Sequence, residues 1–354
     1  MKLTPPLTEP ASAASPTTAT ATDPAAAPVR DAAAGPRRRG RVLAVLALAA
    51  GALMALHAWI PDVGGLGSLV ESFLPWCGAV VAVLLVLAVL RRSATALVAL
   101  LLPVTVWLSL FGGLLVDKSG PAGTLTVASH NVGAANPDPA GTARALAASG
   151  ADVLALEEVA AQARGTYERE LAGTYPHHTV LGTVGLWSRL PLSDVRPVDT
   201  AVDAGPLGDA KPESARLPHN RALRATVATD RGPLAVYVAH LGSVRVTPRT
   251  GFWTDARNRN AEALGAALAA ERGERVVLLG DLNGTVDDRA LSGITSRLRP
   301  AQEEAGDGFG FTWPASFPVA RIDQILVRGV QPSRARVLAA TGSDHLPVAA
   351  ELRW

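Results

Sequence analysis

Six apolar runs in this sequence each end in, or carry, a residue able to bind a metal or a phosphate. "TLTVASHN" ends in Asn131, "DVLALEE" in Glu157 and Glu158, and "PLAVYVAH" in His240. "VVLLGDLN" ends in Asp281 and Asn283, "ARIDQILV" carries Asp323, and "TGSDHLPV" sets Asp344 and His345 before a final apolar run. Carboxylates, amides and imidazoles at such positions could hold a hard cation, orient a water and neutralise phosphoryl oxygens. Each residue alone has a plainer reading, because Asp and Asn favour turns and strand ends take caps. Six repetitions are harder to explain as turns, and functional groups often sit where a rigid strand becomes a loop. Asp323 weighs most. A carboxylate inside an apolar strand needs a partner, and His345 is the candidate.

The runs that deliver these residues have the length and flanks of buried strands. Strands are expected at Val184–Trp187, Leu223–Thr229, Leu234–Ala239, Val276–Leu279, Ile322–Val327 and Pro347–Leu352, besides the runs around Asn131 and Glu157. "DPAGTARALAASG" reads as a short helix closed by glycine, and Thr254–Arg272 as a longer one. Many strands with few helices between them predict two packed sheets with helices outside, within an α/β class.

The first third of the chain is different. Residues 1–36 are rich in Ala, Pro and Thr without periodicity, the composition of a disordered tail, which extends through the basic "RRRGR" to residue 41. Three apolar spans follow at about 42–60, 73–90 and 94–116, each near the twenty residues a membrane helix requires. Arg37–Arg41 flank the first span and Arg91–Arg92 separate the second and third, whereas the loop "PDVGGLGSLVES" has no Lys or Arg. By the positive-inside rule the amino terminus is cytoplasmic and everything beyond the third span is extracytoplasmic. Residues 117–123 then form a linker and 124–354 the outer domain. Eight of the 33 basic and six of the 31 acidic residues lie in residues 1–117, which leaves 25 of each sign in the rest. A neutral outer domain speaks against a holder of long polyanions. The single cysteine, Cys77, excludes an intramolecular disulfide and sits in apolar surroundings.

The motifs "SHNV", "DVLALEEV", "VAHLGS", "GDLNG", "RIDQILV" and "GSDHLPV", in that order, resemble the endonuclease/exonuclease/phosphatase (DNase I-like) superfamily across the outer domain. Three membrane helices ahead of such a domain also resemble the actinobacterial VanJ-type membrane proteins tied to teicoplanin resistance. The first resemblance implies a four-layer αββα sandwich and Mg²⁺-dependent phosphoester cleavage, with Mn²⁺ as a substitute. It implies Glu158 as metal ligand, assisted by Asn131 and Asp344; Asp281 orienting or deprotonating the attacking water; Asn283 on the phosphoryl oxygen; His345, fixed by Asp323, and His240 on the phosphate. Glu157 stands where relatives usually carry Gln, and could add a second metal ligand or be merely a surface charge, the latter being favoured. Gly133 stands where relatives often carry an acid, which leaves fewer charged ligands for the metal.

Other residues have weaker claims. His130 should point to the opposite strand face, and His177 and His178 lie in a turn-like "YPHH". Arg221 or Arg224 could reach a phosphate, or be solvated. Ser243–Asn260 could face a substrate near the membrane, or be plain surface. The leading expectation is a multi-pass cell-membrane phosphoesterase acting outside the cytoplasm on a lipid-linked phosphate or pyrophosphate, or on a phospholipid-type diester. An extracellular nuclease and a non-catalytic membrane module are the alternatives.

Overall fold

The computed structural model describes residues 36–200, 221–247 and 251–354. The expected tail up to residue 35 lies outside the described residues.

The amino-terminal helices are α1 (Pro36–Ala55), α2 (Leu66–Phe73), α3 (Cys77–Leu90), α4 (Ala94–Ala99) and α5 (Leu101–Phe111). Val63–Leu90 and Ala94–Leu115 are long and apolar enough to cross a membrane, and Gly40–Ala55 is a shorter apolar helix. The first helix thus ends five residues before the expected boundary, at a short 3-10 turn, His57–Trp59. Pro103 falls in the first turn of α5, where a missing N–H costs least. The helices bury Leu43, Met54, Val81, Leu84, Leu100 and Phe111 against one another. Their other faces expose Val45, Leu46, Val83, Val86, Val98 and Leu101. A Cβ on Gly40 would collide with Ser93 Oγ. The start of α1 and the Arg91–Arg92 turn therefore lie at one end of the bundle.

The strands are β1 (Leu125–Asn131), β2 (Val153–Glu157), β3 (His177–Leu181), β4 (Val184–Ser188), β5 (Leu192–Pro197), β6 (Ala222–Thr229), β7 (Gly232–His240), β8 (Arg245–Thr247), β9 (Gly251–Trp253), β10 (Val276–Asp281), β11 (Arg299–Pro300), β12 (Asp323–Arg328), β13 (Gln331–Val337) and β14 (Val348–Arg353). One six-stranded sheet runs β13-β14-β1-β2-β4-β3 and the other β11-β12-β10-β7-β6-β5; β8 and β9 pair separately. Between the sheets, Val127, Val153, Ala155 and Leu186 meet Leu223, Val236, Val238, Val277, Leu279 and Ile325. Helices α6 (Pro139–Ala147) and α7 (Ala161–Leu171) cover the first sheet, and α8 (Asp255–Ala270) the second. The expected sandwich with outer helices is the fold found. Its central strands are apolar on both faces because both are covered.

The central pairs β1–β2 and β7–β10 are parallel, joined through helices. Parallel pairing brings strand exits to the same edge. The register sets Asn131 beside Glu157, and Asp281 beside both His240 and Asp323.

Strand β3 departs from expectation, since His177 and His178 open a strand instead of a turn. His177 pairs with Ser188 and His178 with Trp187, and the His178 ring stacks on Trp187 with centroids 6.0 Å apart. Proline before the pair hides a strand that its partner imposes.

Leu186 is fully buried between the sheets, away from the polar edge. Leu186→Ala should cost about 2–5 kcal/mol of stability. The drop would be read in chemical denaturation of the detergent-solubilised chain, and an unchanged midpoint would contradict this packing.

Candidate active site

Strand alternation decides which side chains meet. Asn131 and Glu157 share the inter-sheet face with Val127, Val153 and Ala155, while His240, Asp281 and Asp323 share it with Val238, Leu279 and Ile325. All five are buried. The gap between the sheets thus closes, at one edge, on polar side chains from five strands.

Asp281 is the hub. Its Oδ2 accepts from Asn131 Nδ2 at 3.0 Å and from Asn283 Nδ2 at 3.2 Å, and its Oδ1 accepts from the Asn283 backbone N–H at 2.9 Å. The Nε2 atoms of His240 and His345 stand 3.6 and 3.8 Å from Oδ2. Burial pushes the Asp281 carboxyl above the usual range; the His345 charge opposes this and Asp323 adds to it.

The expected Asp323–His345 pair is present. His345 Nδ1 lies 3.0 and 3.1 Å from the two Asp323 oxygens. Burial by itself would lower the imidazole pKa, but Asp323 and Asp281 outweigh it and raise it to about 10. His345 is therefore a buried imidazolium between two carboxylates, with Nε2 turned to Asp281.

Glu158 follows Glu157 with a left-handed backbone, φ 58°. That turn swings its carboxylate back to the edge, where Oε2 accepts from Ala134 N–H at 2.9 Å and Oε1 lies 3.6 Å from His240 Nε2. Asn131 Oδ1 accepts from Gly133 N–H at 3.0 Å. Gly133 itself is left-handed, φ 74°, and a Cβ there would lie 4.0 Å from Asp344 Oδ1. The space beside the missing acid is therefore shared with the Asp344 carboxylate. Trp313 Nε1 approaches the other Asp344 oxygen at 3.4 Å.

Three expectations change. Glu157 is fully buried, and its Oε1 accepts from Ser129 Oγ at 2.9 Å. Burial, with Asp323 next, holds its pKa well above that of an ordinary carboxyl, and its Oε2 has no partner among the described residues. The period-two pattern, which aligns Glu157 with Val153 and Ala155, was the signal against a surface charge. Asn283 spends both amide hydrogens, on Asp281 and on Leu241 O at 3.1 Å, so here it positions Asp281. Of the two arginines, Arg224 pairs with Glu271 at 3.0 Å and with Asp194, far from the edge. Arg221 belongs to the site: Nη2 lies 2.7 Å from His240 Nε2 and donates to Leu241 O at 3.1 Å. A guanidinium only donates, so that imidazole nitrogen accepts. Arg221 Nε has no partner among the described residues.

His130 points to the opposite face, as expected. Its Nε2 meets Thr341 Oγ1 at 2.8 Å, and burial lowers its pKa to about 3. Ser343, which sequence reasoning passed over, ties β1 to the last loop by donating from Oγ to Asn131 O at 2.7 Å.

Asp281, Asp323 and His345 can bring ligand atoms within 4.8 Å of one another. His345 Nδ1 is engaged by Asp323, however, and a protonated imidazole is no ligand. A hard cation is better matched by the oxygen donors of Glu158, Asp344 and Asn131. Buried Asp281 and Asp323 with partly exposed Glu158 leave negative charge at this edge that a divalent cation would offset.

A family model described as "Endonuclease/Exonuclease/phosphatase family" matches residues 128–345. The chain belongs to this family. Members of the endonuclease/exonuclease/phosphatase family are typically hydrolases of phosphate esters and generally depend on a divalent metal. Among solved structures, a humanised Danio rerio TDP2 matches with TM-score 0.50 and 19% identity, covering 64% of this chain and 98% of that one. A conserved Enterococcus faecalis protein of unknown function matches with TM-score 0.50 and 14% identity, over 64% and 99%. A sphingomyelinase C from Streptomyces griseocarneus matches with TM-score 0.47 and 20% identity, over 64% and 98%. No curated protein matches the sequence.

Two outcomes follow from this geometry. Because the folded pKa of Glu157 is raised, the folded chain keeps a proton that the unfolded chain releases above about pH 4.5. Wild-type stability should therefore fall as pH rises from that value, until Glu157 ionises in the fold. Glu157→Gln should show a shallower falling limb, because the raised Asp281 carboxyl keeps its own share, and should unfold at a higher temperature at pH 7; a pH profile parallel to that of the wild type would contradict the raised Glu157 pKa.

The second concerns Asp323→Asn. Without that carboxylate, burial lowers the His345 pKa, so phosphoesterase activity should fall most at high pH, with the alkaline limb moved to lower pH. Adding His345→Ala should cost little more than His345→Ala alone, because the pair acts as a unit. Fully multiplicative losses would show two independent residues.

Proposed function

We propose that this chain is a membrane-anchored, divalent-metal-dependent phosphoesterase working at the extracytoplasmic face on a lipid-linked phosphate or pyrophosphate, or on a phospholipid-type diester. The observation that carries the reading is the convergence of Asp281, the Asp323–His345 pair, His240 and Arg221 at one sheet edge. Two donors of positive charge stand there around one carboxylate whose pKa is raised toward neutrality.

Asp281 would take the proton of the attacking water, held in place by Asn131 and Asn283. A base with a raised pKa suits that task near neutral pH. Imidazolium His345 would neutralise a phosphoryl oxygen, and Arg221, held against the His240 imidazole, would donate on the opposite side. Glu158, Asn131 and Asp344 would hold the cation, which when bound stabilises the charge that develops on phosphate and leaving group.

Three features support the membrane reading. The helices are apolar on their outer faces as well as between one another, the pattern of a lipid environment. The Arg91–Arg92 turn and the start of α1 share one end of the bundle. The connection between α1 and α3 packs on the sandwich, with Trp76 Nε1 donating to Val319 O at 2.8 Å. Basic residues at one end and the catalytic domain at the other support an extracytoplasmic site, by the positive-inside rule. The domain division, three membrane helices to residue 116 and a catalytic domain from 124, belongs to this proposal.

The test uses the full chain in detergent with Mg²⁺, offered a lipid pyrophosphate, a sphingomyelin-type diester and DNA. Phosphoester release from a lipid substrate is expected, lost with chelator and reduced about 10²–10⁴-fold by Asp281→Asn. Preferential nicking of DNA would replace the lipid reading with the nuclease. No release from any of the three would leave a non-catalytic module.

A further inference from the structure

The loop that carries Asn283 is held from behind by the membrane region. Asn283 has a left-handed backbone, φ 47°, which a non-glycine residue keeps only if its surroundings hold it. Arg257 of α8 does so, donating from Nη1 to Asn283 O at 3.1 Å. The following residue is Gly284, where a Cβ would collide with the same Nη1. The guanidinium can reach the loop because position 284 has no side chain.

Arg257 is fully buried; its Nε donates to Asn258 Oδ1 at 2.8 Å on the same helix, and its Nη2 leads out of the sandwich. Nη2 is 2.9 Å from Asp288 Oδ2 and 2.6 Å from Ser68 Oγ of α2. Ser68 Oγ donates in turn to Asp288 Oδ2, so one serine hydroxyl bridges both charges. One residue on, Arg289 is gripped by Glu71, 1% exposed: its backbone N–H and Nε donate to the Glu71 carboxylate at 2.9 Å, and Nη2 at 2.7 Å. Nη1 also donates to Ile60 O at 2.7 Å, and Nη2 to His57 O at 2.9 Å.

The segment is shaped for this contact. A Cβ at Gly67 would lie 2.9 Å from Arg289 Cζ, and one at Gly65 would collide with Phe252 O. Ser68 and Glu71 lie on α2, between two apolar helices, where a hydroxyl and a carboxylate have no use unless paired. A mere tether needs neither buried charges nor glycines at its contacts.

We propose that His57–Phe73 is a positioning element of the active site: through Ser68 and Glu71 it fixes Arg257, Asp288 and Arg289, and through Arg257 the backbone of Asn283. Asn283 in turn orients Asp281 by two hydrogen bonds. The catalytic geometry thus depends on the membrane region being docked, and displacement of the bundle would reach Asp281 in three contacts. The inference rests on the reading of Asp281 as the reacting carboxylate.

Ser68→Ala and Glu71→Gln, in the full chain in detergent, test it with two readouts. The first is turnover of a small soluble diester, bis(p-nitrophenyl) phosphate, with Mg²⁺. Each variant should lower kcat, by about 10- to 100-fold for Glu71→Gln, and leave KM unchanged, because binding groups stay in place. The second is amide hydrogen exchange, which requires no activity. Exchange should accelerate in residues 282–288 and stay unchanged in β2 and β7. Ser68→Thr, which keeps the hydroxyl, should restore both readouts. If Glu71→Gln fails to fold, Ser68→Ala decides alone. Unchanged kcat with unchanged exchange would overturn the positioning role. A wild type inactive on every phosphoester would sink the proposed function, and exchange in 282–288 would still decide whether the segment holds the loop.

Discussion

Buried negative charge at the edge of the sandwich is the constraint on which the rest of this structure turns. Asp281 and Asp323 face each other in the register of β10 and β12, at the edge of a gap lined largely by Val, Leu, Ile and Ala. Two carboxylates cannot both stay ionised there without compensation. His345 supplies one positive charge between them, three N–H groups converge on Asp281, and the Glu157 carboxyl is held above its usual pKa. The charge left over at Glu158 and Asp344 lies toward solvent, where a divalent cation could meet it.

The sandwich answers this constraint by its connections. Two parallel strand pairs send their exits to the same edge, so residues far apart in sequence arrive together without long loops. A left-handed turn at Glu158 redirects a side chain that plain strand alternation would aim away, and another at Asn283 turns the chain where β10 ends. Such backbone persists where the surroundings enforce it. At Asn283 those surroundings extend through Arg257 to Ser68, outside the sandwich.

Much of this was legible in the sequence. Apolar runs closed by Asn131, His240 and Asp281 located the central strands to within a residue or two, because both-face burial leaves continuous Val and Leu. The Asp323–His345 pair followed from one argument, that a carboxylate in an apolar strand must be paired. The errors share a cause. Glu157 was misread because an acid suggests solvent, although its parity with Val153 and Ala155 places it inside. The β3 strand was missed because its pairing with β4 is a property of the sheet and its own residues are polar. Arg257, Ser68 and Glu71 had no local signal, since their meaning comes from contacts that span more than two hundred positions in the case of Glu71 and Arg289.

The central claim is that one edge of the sandwich holds a cation at Glu158 and a phosphoryl group at Arg221, His240 and His345. Crystals of the full chain grown with Mn²⁺ and inorganic phosphate test it most directly. The account predicts an anomalous manganese peak against the Glu158 carboxylate, with phosphate oxygens on Arg221 and His345 beside the His240 imidazole. Manganese bound elsewhere, or phosphate absent from that edge while bound at another basic surface, would contradict it.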